Sequence, residues 1–236
     1  MFRTKRFLTL ATLAFFAAFF AIGQTAAREM TIEESYLQES IELMIIRETS
    51  RSNSMDQKMI ALEFIREAID RGNTSPHIVQ ALELLALEGI VNRVMEGGRL
   101  ANDFPPVRRE AARYLGLVGT EEARLALIRM SLAENDPMVV QEAIRSLGII
   151  GSNPNDETVS TIAWVVRRFD IINPDNMIAL SAIDAIQKLS RTGDMVRDPN
   201  VIHILMRIVD GPYIRPVQDR ARGLLMEMAG MRQAQE

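Results

Sequence analysis

The sequence predicts an all-α fold, an α-solenoid of stacked antiparallel helix pairs, on three observations. Past Arg28 apolar residues recur at three- and four-residue spacing, whereas the two-residue alternation of half-buried strands does not. Composition agrees: of 236 residues 47% are hydrophobic, only 6% are aromatic and 14 are Met, and such Leu-, Ile-, Ala- and Met-rich chains favour helices over sheets. The third observation is an internal repeat. Residues 104–119 read FPPVRREAARYLGLVG and residues 136–151 read DPMVVQEAIRSLGIIG. At an offset of 32, Val107, Ala111, Leu115, Gly116 and Gly119 meet Val139, Ala143, Leu147, Gly148 and Gly151. Glu110 and Arg113 likewise meet Glu142 and Arg145.

The first segment, 1–27, is expected to be an address rather than structure. Arg3, Lys5 and Arg6 form a positive start, and Phe7 to Ile22 is an uncharged apolar run. Thr25 and Ala27 suit the −3 and −1 positions of signal-peptide cleavage, with Gly23 an alternative end. The run falls short of the roughly 20 residues that span a bilayer, so export with cleavage is favoured over a retained anchor. Removing 1–27, which holds three bases and no acid, takes the formal charge from −4 to −7. An acidic chain is a poor nucleic-acid binder, because such binding relies on basic patches meeting phosphate. Cysteine is absent, which excludes disulfides, thiolate metal sites and a lipid-modified N-terminal cysteine.

An N-terminal helix is expected over 28–54. Thr31 and Glu34 form a capping box, and Tyr36, Leu37, Ile41, Met44 and Ile45 form one apolar stripe. Ser54 with Gln57 repeats the capping device and opens a helix carrying Met59, Leu62, Ile65 and Ile69, ended by Gly72 and Asn73. Ser75 then stands at an N-cap with Pro76 at the first helical position.

The repeats fill 55–231, in units of about 55–102, 103–135, 136–173, 174–212 and 213–231, with a short tail at 232–236. Ile178, Ala182, Ile186 and Leu189 occupy the slots of Val139, Ala143, Leu147 and Ile150, and Val217, Ala221, Leu225 and Met228 do so again. Second helices are expected at 120–134, 156–170 and 199–210. Proline in a first turn removes an amide that has no partner there. The valine and leucine slots face the core, the alanine slot permits close approach, and the glycines end the first helix. No pair can bury its apolar faces alone, so the pairs stack.

Asp136-Pro137 followed by Val139, Ala143 and Leu147-Gly148 resembles the HEAT-repeat signature, in the bacterial form shared with phycobilin-lyase-type HEAT proteins. The signature also has an arginine after the core valine. Arg108 fills that slot, and Val140 departs from it. The resemblance covers about 103–230, and 55–102 fits a first repeat only loosely. It implies a curved scaffold that binds proteins on an extended surface, with second helices lining the concave side.

Motifs for chemistry are scarce. Gly97-Gly98 lacks the context of a phosphate loop. Glu33-Glu34 and Glu121-Glu122 sit in helix first turns, where the dipole favours acids. His77 and His203 are the only histidines; His77 lies in a first turn, and His203 on an apolar helix reads as a structural histidine. No catalytic, metal or cofactor site is expected. One constellation stands out on 156–170. Val159, Ile162, Val166 and Phe169 form its apolar stripe, and Trp164 falls on the opposite face with Ser160, Thr161, Arg167 and Arg168. Trp and Arg are the residue types enriched at binding hot spots, so Trp164, Arg167, Arg168 and Thr161 are candidate protein-binding residues, against packing of Trp164 on a neighbouring repeat. The resemblance adds Arg124, Arg129 and Arg207 to the patch. Arginine outnumbers lysine 24 to 3, for which salt bridging between repeats is the plain account.

These features together predict a non-enzymatic, exported scaffold, periplasmic in location, that engages a protein of the cell envelope. It would meet the membrane only through an uncleaved leader. The alternatives are a lyase-like enzyme handling a tetrapyrrole, which the resemblance suggests but the missing reactive groups oppose, and a self-assembling structural protein. A polysaccharide binder would display more aromatic residues than three Tyr and one Trp.

Overall fold

The computed structural model describes residues 32–172, 174–192 and 198–233. The expected leader at 1–27 and Thr31 of the first capping box lie outside the described residues. The chain divides into two compact units, Met1–Ser40 and Ile41–Glu236. Of the first, the described part is the opening of helix α1 (Ile32–Arg51); the account below concerns the second.

Helices follow in close succession: α2 (Met55–Asp70), α3 (Pro76–Ala86), α4 (Pro105–Val118), α5 (Glu121–Ala133), α6 (Pro137–Ile150), α7 (Glu157–Ile172), α8 (Asn176–Thr192), α9 (Pro199–Asp210) and α10 (Arg215–Gln233). They form two layers. The first helices α2, α4, α6, α8 and α10 each pack on the next, and the second helices α3, α5, α7 and α9 do the same alongside. This is the all-α solenoid that the repeat predicts.

The repeated slots fill the core. Val107, Ala111 and Leu115 of α4 and Val139, Ala143 and Leu147 of α6 are fully buried, as are Ile178, Ala182, Ile186 and Leu189 of α8. The Leu-Gly pairs have a second role beyond ending helices. Gly119 and Gly151 cap α4 and α6 with left-handed φ of 70° and 71°. Gly116 and Gly148 lie inside those helices and set the spacing between repeats. A Cβ built on Gly148 would lie 2.8 Å from Cα and Cβ of Ala185 in α8, and one on Gly116 would lie 2.7 Å from Cβ of Ser146 in α6.

The caps divide in two. Thr120, Asp136 and Asp198 accept hydrogen bonds from first-turn amides. Ser54 and Ser75 hold the N-cap positions without a side-chain bond, contrary to the capping expected of Ser54. The hydroxyl of Ser52 takes the amide of Ser54 instead. In α1 the expected stripe is also displaced. Ile41 and Met44 are 46% and 58% exposed while Ile46 is buried, because Ile46, with Leu43, is what meets the core. Between α3 and α4 the helical reading missed a hairpin, strands β1 (Met95–Glu96) and β2 (Arg99–Leu100). Its turn is Gly97-Gly98 with φ of 55° and 79°, a pair of left-handed residues that favours Gly-Gly. Asn102 anchors the hairpin, its amide donating to Glu88 Oε1 at 2.9 Å and its Oδ1 accepting from Val94 N at 2.9 Å.

Each of the first three pairs ends its second helix on a buried acid: Glu88, Glu134 and Asp170. Lys58, fourth residue of α2, donates to Glu88 Oε2 at 2.7 Å. Arg108, fourth residue of α4, donates through Nε to Glu134 Oε2 at 2.5 Å. Burial opposes its charge, but the bonds to Glu134 and Asp103 raise its pKa above the ordinary arginine value. Val140 holds the same position in α6, and Asp170 finds its partners one repeat further on, in Arg207 Nε at 2.8 Å and Tyr213 hydroxyl at 2.9 Å. The missing signature arginine is thus compensated from the next pair.

Two stability predictions follow from this packing. Gly148→Ala should destabilise by about 1–3 kcal/mol, since the overlap falls on helix backbone, whereas Gly223→Ala, with nothing within 4 Å, should stabilise by about 0.5–1 kcal/mol. Denaturant titration of both variants checks the contrast. Arg108→Met should cost about 3–5 kcal/mol, because it leaves the Glu134 carboxylate buried without its cation; thermal and urea unfolding report the loss.

Candidate functional site

Helix α7 lies between α5 and α9 in the second-helix layer. It therefore buries more than one stripe: Val159, Ile162 and Val166, and also Ala163 and Val165. Trp164 is directed out of this packing and is 49% exposed. On α9, Val201, Ile204, Leu205 and Ile208 turn inward, and His203, Met206 and Arg207 turn out. Between the outward faces of α7 and α9 lies a cleft of about 640 Å³, a size that suits a side chain or small ligand. Ala163 and Ile204 form its floor, Trp164 and Ile171 an apolar wall, and Arg167, His203 and Arg207 are among its polar residues.

The acids of the cleft are committed internally. Asp170 is buried and takes Arg207 and Tyr213. That pairing raises the Arg207 pKa, and burial together with the bond to Asp170 pushes the Tyr213 phenol well up. Asp198 accepts from Ser160 Oγ at 2.5 Å on one oxygen, and from Asn200 N and Nδ2 at 2.8 and 2.9 Å on the other. Burial works against its charge, but these bonds win and hold the carboxyl below its ordinary pKa. Arg167, by contrast, is exposed and makes no hydrogen bond or ion pair among the described residues.

Of the residues singled out from the sequence, Trp164, Arg167 and Arg207 meet in the cleft. The others are placed elsewhere. Arg168 turns back on α5, donating to the carbonyls of Leu132 at 2.8 Å, Ser131 at 3.3 Å and Glu134 at 2.5 Å. It thereby caps the negative end of that helix, and its removal from water lowers its pKa. Its guanidinium also lies 5.1 Å from the Trp164 ring centre and 5.1 Å from that of Phe169. Thr161 is buried, its hydroxyl donating to Glu157 O at 2.8 Å. Arg124, expected on the surface, is 1% exposed. It ties α5 to α7, bonding Glu121, Glu157 and Thr158 at 2.6, 2.6 and 3.1 Å. Arg129 pairs with Glu83 of α3. The inter-repeat use of arginine extends to Arg191 with Glu227 and Arg220 with Asp184, between α8 and α10.

His203, expected as a satisfied structural histidine, is exposed on the cleft. Its helix is apolar on one side only, so an apolar neighbourhood in sequence did not mean burial. Asp198 was also missed, although Asp198-Pro199 repeats the Asp136-Pro137 start and signals a cap at that point.

The layered helix pairs define a helical-repeat protein of the kind that presents an extended surface. The family model described as HEAT repeats matches residues 98–168, the stretch running from β2 through most of α7 and including Trp164 and Arg167. Residues 98–168 are therefore assigned to HEAT repeats, and HEAT repeats suggest a protein-interaction scaffold. Among curated proteins, none matches the chain.

The two adjacent arginines should separate cleanly by mutation. Arg168→Met leaves three helix-end carbonyls short of a donor and should cost about 1.5–3 kcal/mol. Arg167→Glu should stay within about 0.5 kcal/mol of the parent. Parallel thermal melts read both.

Proposed function

We propose that the protein is an exported, periplasmic adaptor that binds a protein of the cell envelope and performs no chemistry. The observation that carries this reading is the α7–α9 cleft. It sets a half-exposed tryptophan beside an arginine with no partner among the described residues, on a repeat scaffold where Arg108, Arg124, Arg168 and Arg207 are all engaged with other parts of the stack. Trp and Arg in a partly enclosed pocket are the usual anchors of a protein interface. Export rests on the leader-like segment 1–27.

The arrangement of side chains in the cleft supports a reading without chemistry. Ser160, Asp198 and His203 share the cleft, but the Ser160 hydroxyl donates directly to Asp198, so its proton is not directed at an imidazole base as nucleophilic catalysis requires. Among the described residues no group of three His, Asp or Glu is placed to hold a metal.

The test is fractionation of the tagged, full-length chain from its native cells, followed by crosslinking and affinity capture from the envelope. The expected result is a periplasmic protein shortened after Ala27 or Gly23 that brings down one envelope protein. That partner should be lost with Trp164→Ala combined with Arg167→Glu, while the melting temperature stays within a few degrees. An intact N-terminus in the cytoplasmic fraction would overturn export. Capture of the protein alone would overturn the adaptor and favour self-assembly.

A further inference from the structure

The cleft also carries information about what it binds. We propose that it takes an acidic segment of the partner, seating an apolar side chain against Trp164 and Ile171 and a neighbouring carboxylate on Arg167. This deepens the adaptor reading and rests on it for the existence of a protein ligand.

Charge complementarity points to an acidic rather than a basic segment. The chain as a whole is acidic, at −4, yet each acid of this cleft is already bonded within the fold. Both oxygens of Asp170 are occupied, by Arg207 and Tyr213, and the residue is buried. Both oxygens of Asp198 are occupied by Ser160 and Asn200. A lysine or arginine entering here would share those oxygens with donors already in place. The cations are in the opposite condition. Arg167 donates to nothing among the described residues, and Arg207 binds Asp170 through Nε alone with its side chain 62% exposed. A carboxylate therefore meets guanidinium donors still free to bond, in the planar fork geometry that suits it.

The apolar half of the site is equally open. Ile171 is 75% exposed, and Ala163 and Ile204 behind it are buried. One ring, Trp164, is already held by the guanidinium of Arg168, which is itself fixed on the end of α5. A binding wall that is fixed in advance loses little freedom when the ligand arrives.

Trp164 is the only tryptophan in the chain, so its fluorescence reports this cleft without a label. The probe is a capped hexapeptide alternating glutamate and leucine, titrated into the full chain, with the lysine–leucine peptide as the charge-reversed control. The expected result is a saturable blue shift with the acidic peptide, weakened by added salt. Binding should fall by about tenfold or more in Arg167→Glu and in Ile171→Asp, the weight of roughly one charge-assisted bond. Both substitutions fall on exposed side chains, and circular dichroism melts confirm that the variants fold. Absence of a saturable shift, equal binding of the lysine peptide, or indifference to Arg167→Glu each overturns the proposal. An envelope partner whose capture survives Arg167→Glu would also overturn it while leaving the adaptor standing. Peptide binding with no captured partner would uphold the cleft and overturn the adaptor.

Discussion

The structure depends on how closely successive first helices approach one another. A repeat stack has no central core, and each helix pair buries its apolar face only on its neighbours. Gly116 and Gly148 let α4, α6 and α8 come together until a single added carbon would strike Ser146 or Ala185. In the second-helix layer α7 and α9 leave a cleft between them.

Buried polar groups make the stack specific to its order. Glu88, Glu134 and Asp170 close the second helices of three consecutive pairs, and each demands a cation or hydroxyl in return. Where the first helix supplies one, as Lys58 and Arg108 do, the bond stays within the pair. Where α6 offers Val140, Asp170 reaches to Arg207 and Tyr213, and the pair is tied to the one that follows. Leaving such a carboxylate unpaired in the interior costs several kcal/mol, so neighbouring pairs are held in one register. The exposed ion pairs, such as Arg113 with Glu110 and Arg145 with Glu142, add little by comparison.

This division of labour also separates structural arginines from the one proposed to bind a partner. Arg108 bonds the buried Glu134, Arg168 caps the end of α5, and Arg124 spends its donors on Glu121, Glu157 and Thr158. Arg207 is half committed, holding Asp170 through one nitrogen while its terminal nitrogens remain available. Arg167 is left over. What distinguishes it is its place beside an exposed tryptophan at the α7–α9 cleft, which is why the proposed partner is assigned to that position.

What the sequence by itself determined is the helical class, the repeat length, the core slots and most helix boundaries, because these follow from local periodicity, proline and glycine punctuation and a copied motif. Residues such as Val139, Ala143 and Leu147 face inward in any stack of this repeat. It also singled out Trp164 and Arg167, whose position opposite the α7 stripe needs only the angle between successive residues. Tertiary structure alone decided which neighbours on that face reach solvent. Thr161 and Arg168 share the outward arc of an isolated helix, yet one is buried and the other is drawn onto α5. Arg124 looks like a surface residue and is a buried strut. His203 looks like a core residue and lies open on the cleft. The physical reason is that a helix in a stack has neighbours on both sides as well as beneath. The fate of its flanking residues is set by the spacing between repeats, which depends on residues far away in the chain, Gly148 and Ala185 among them.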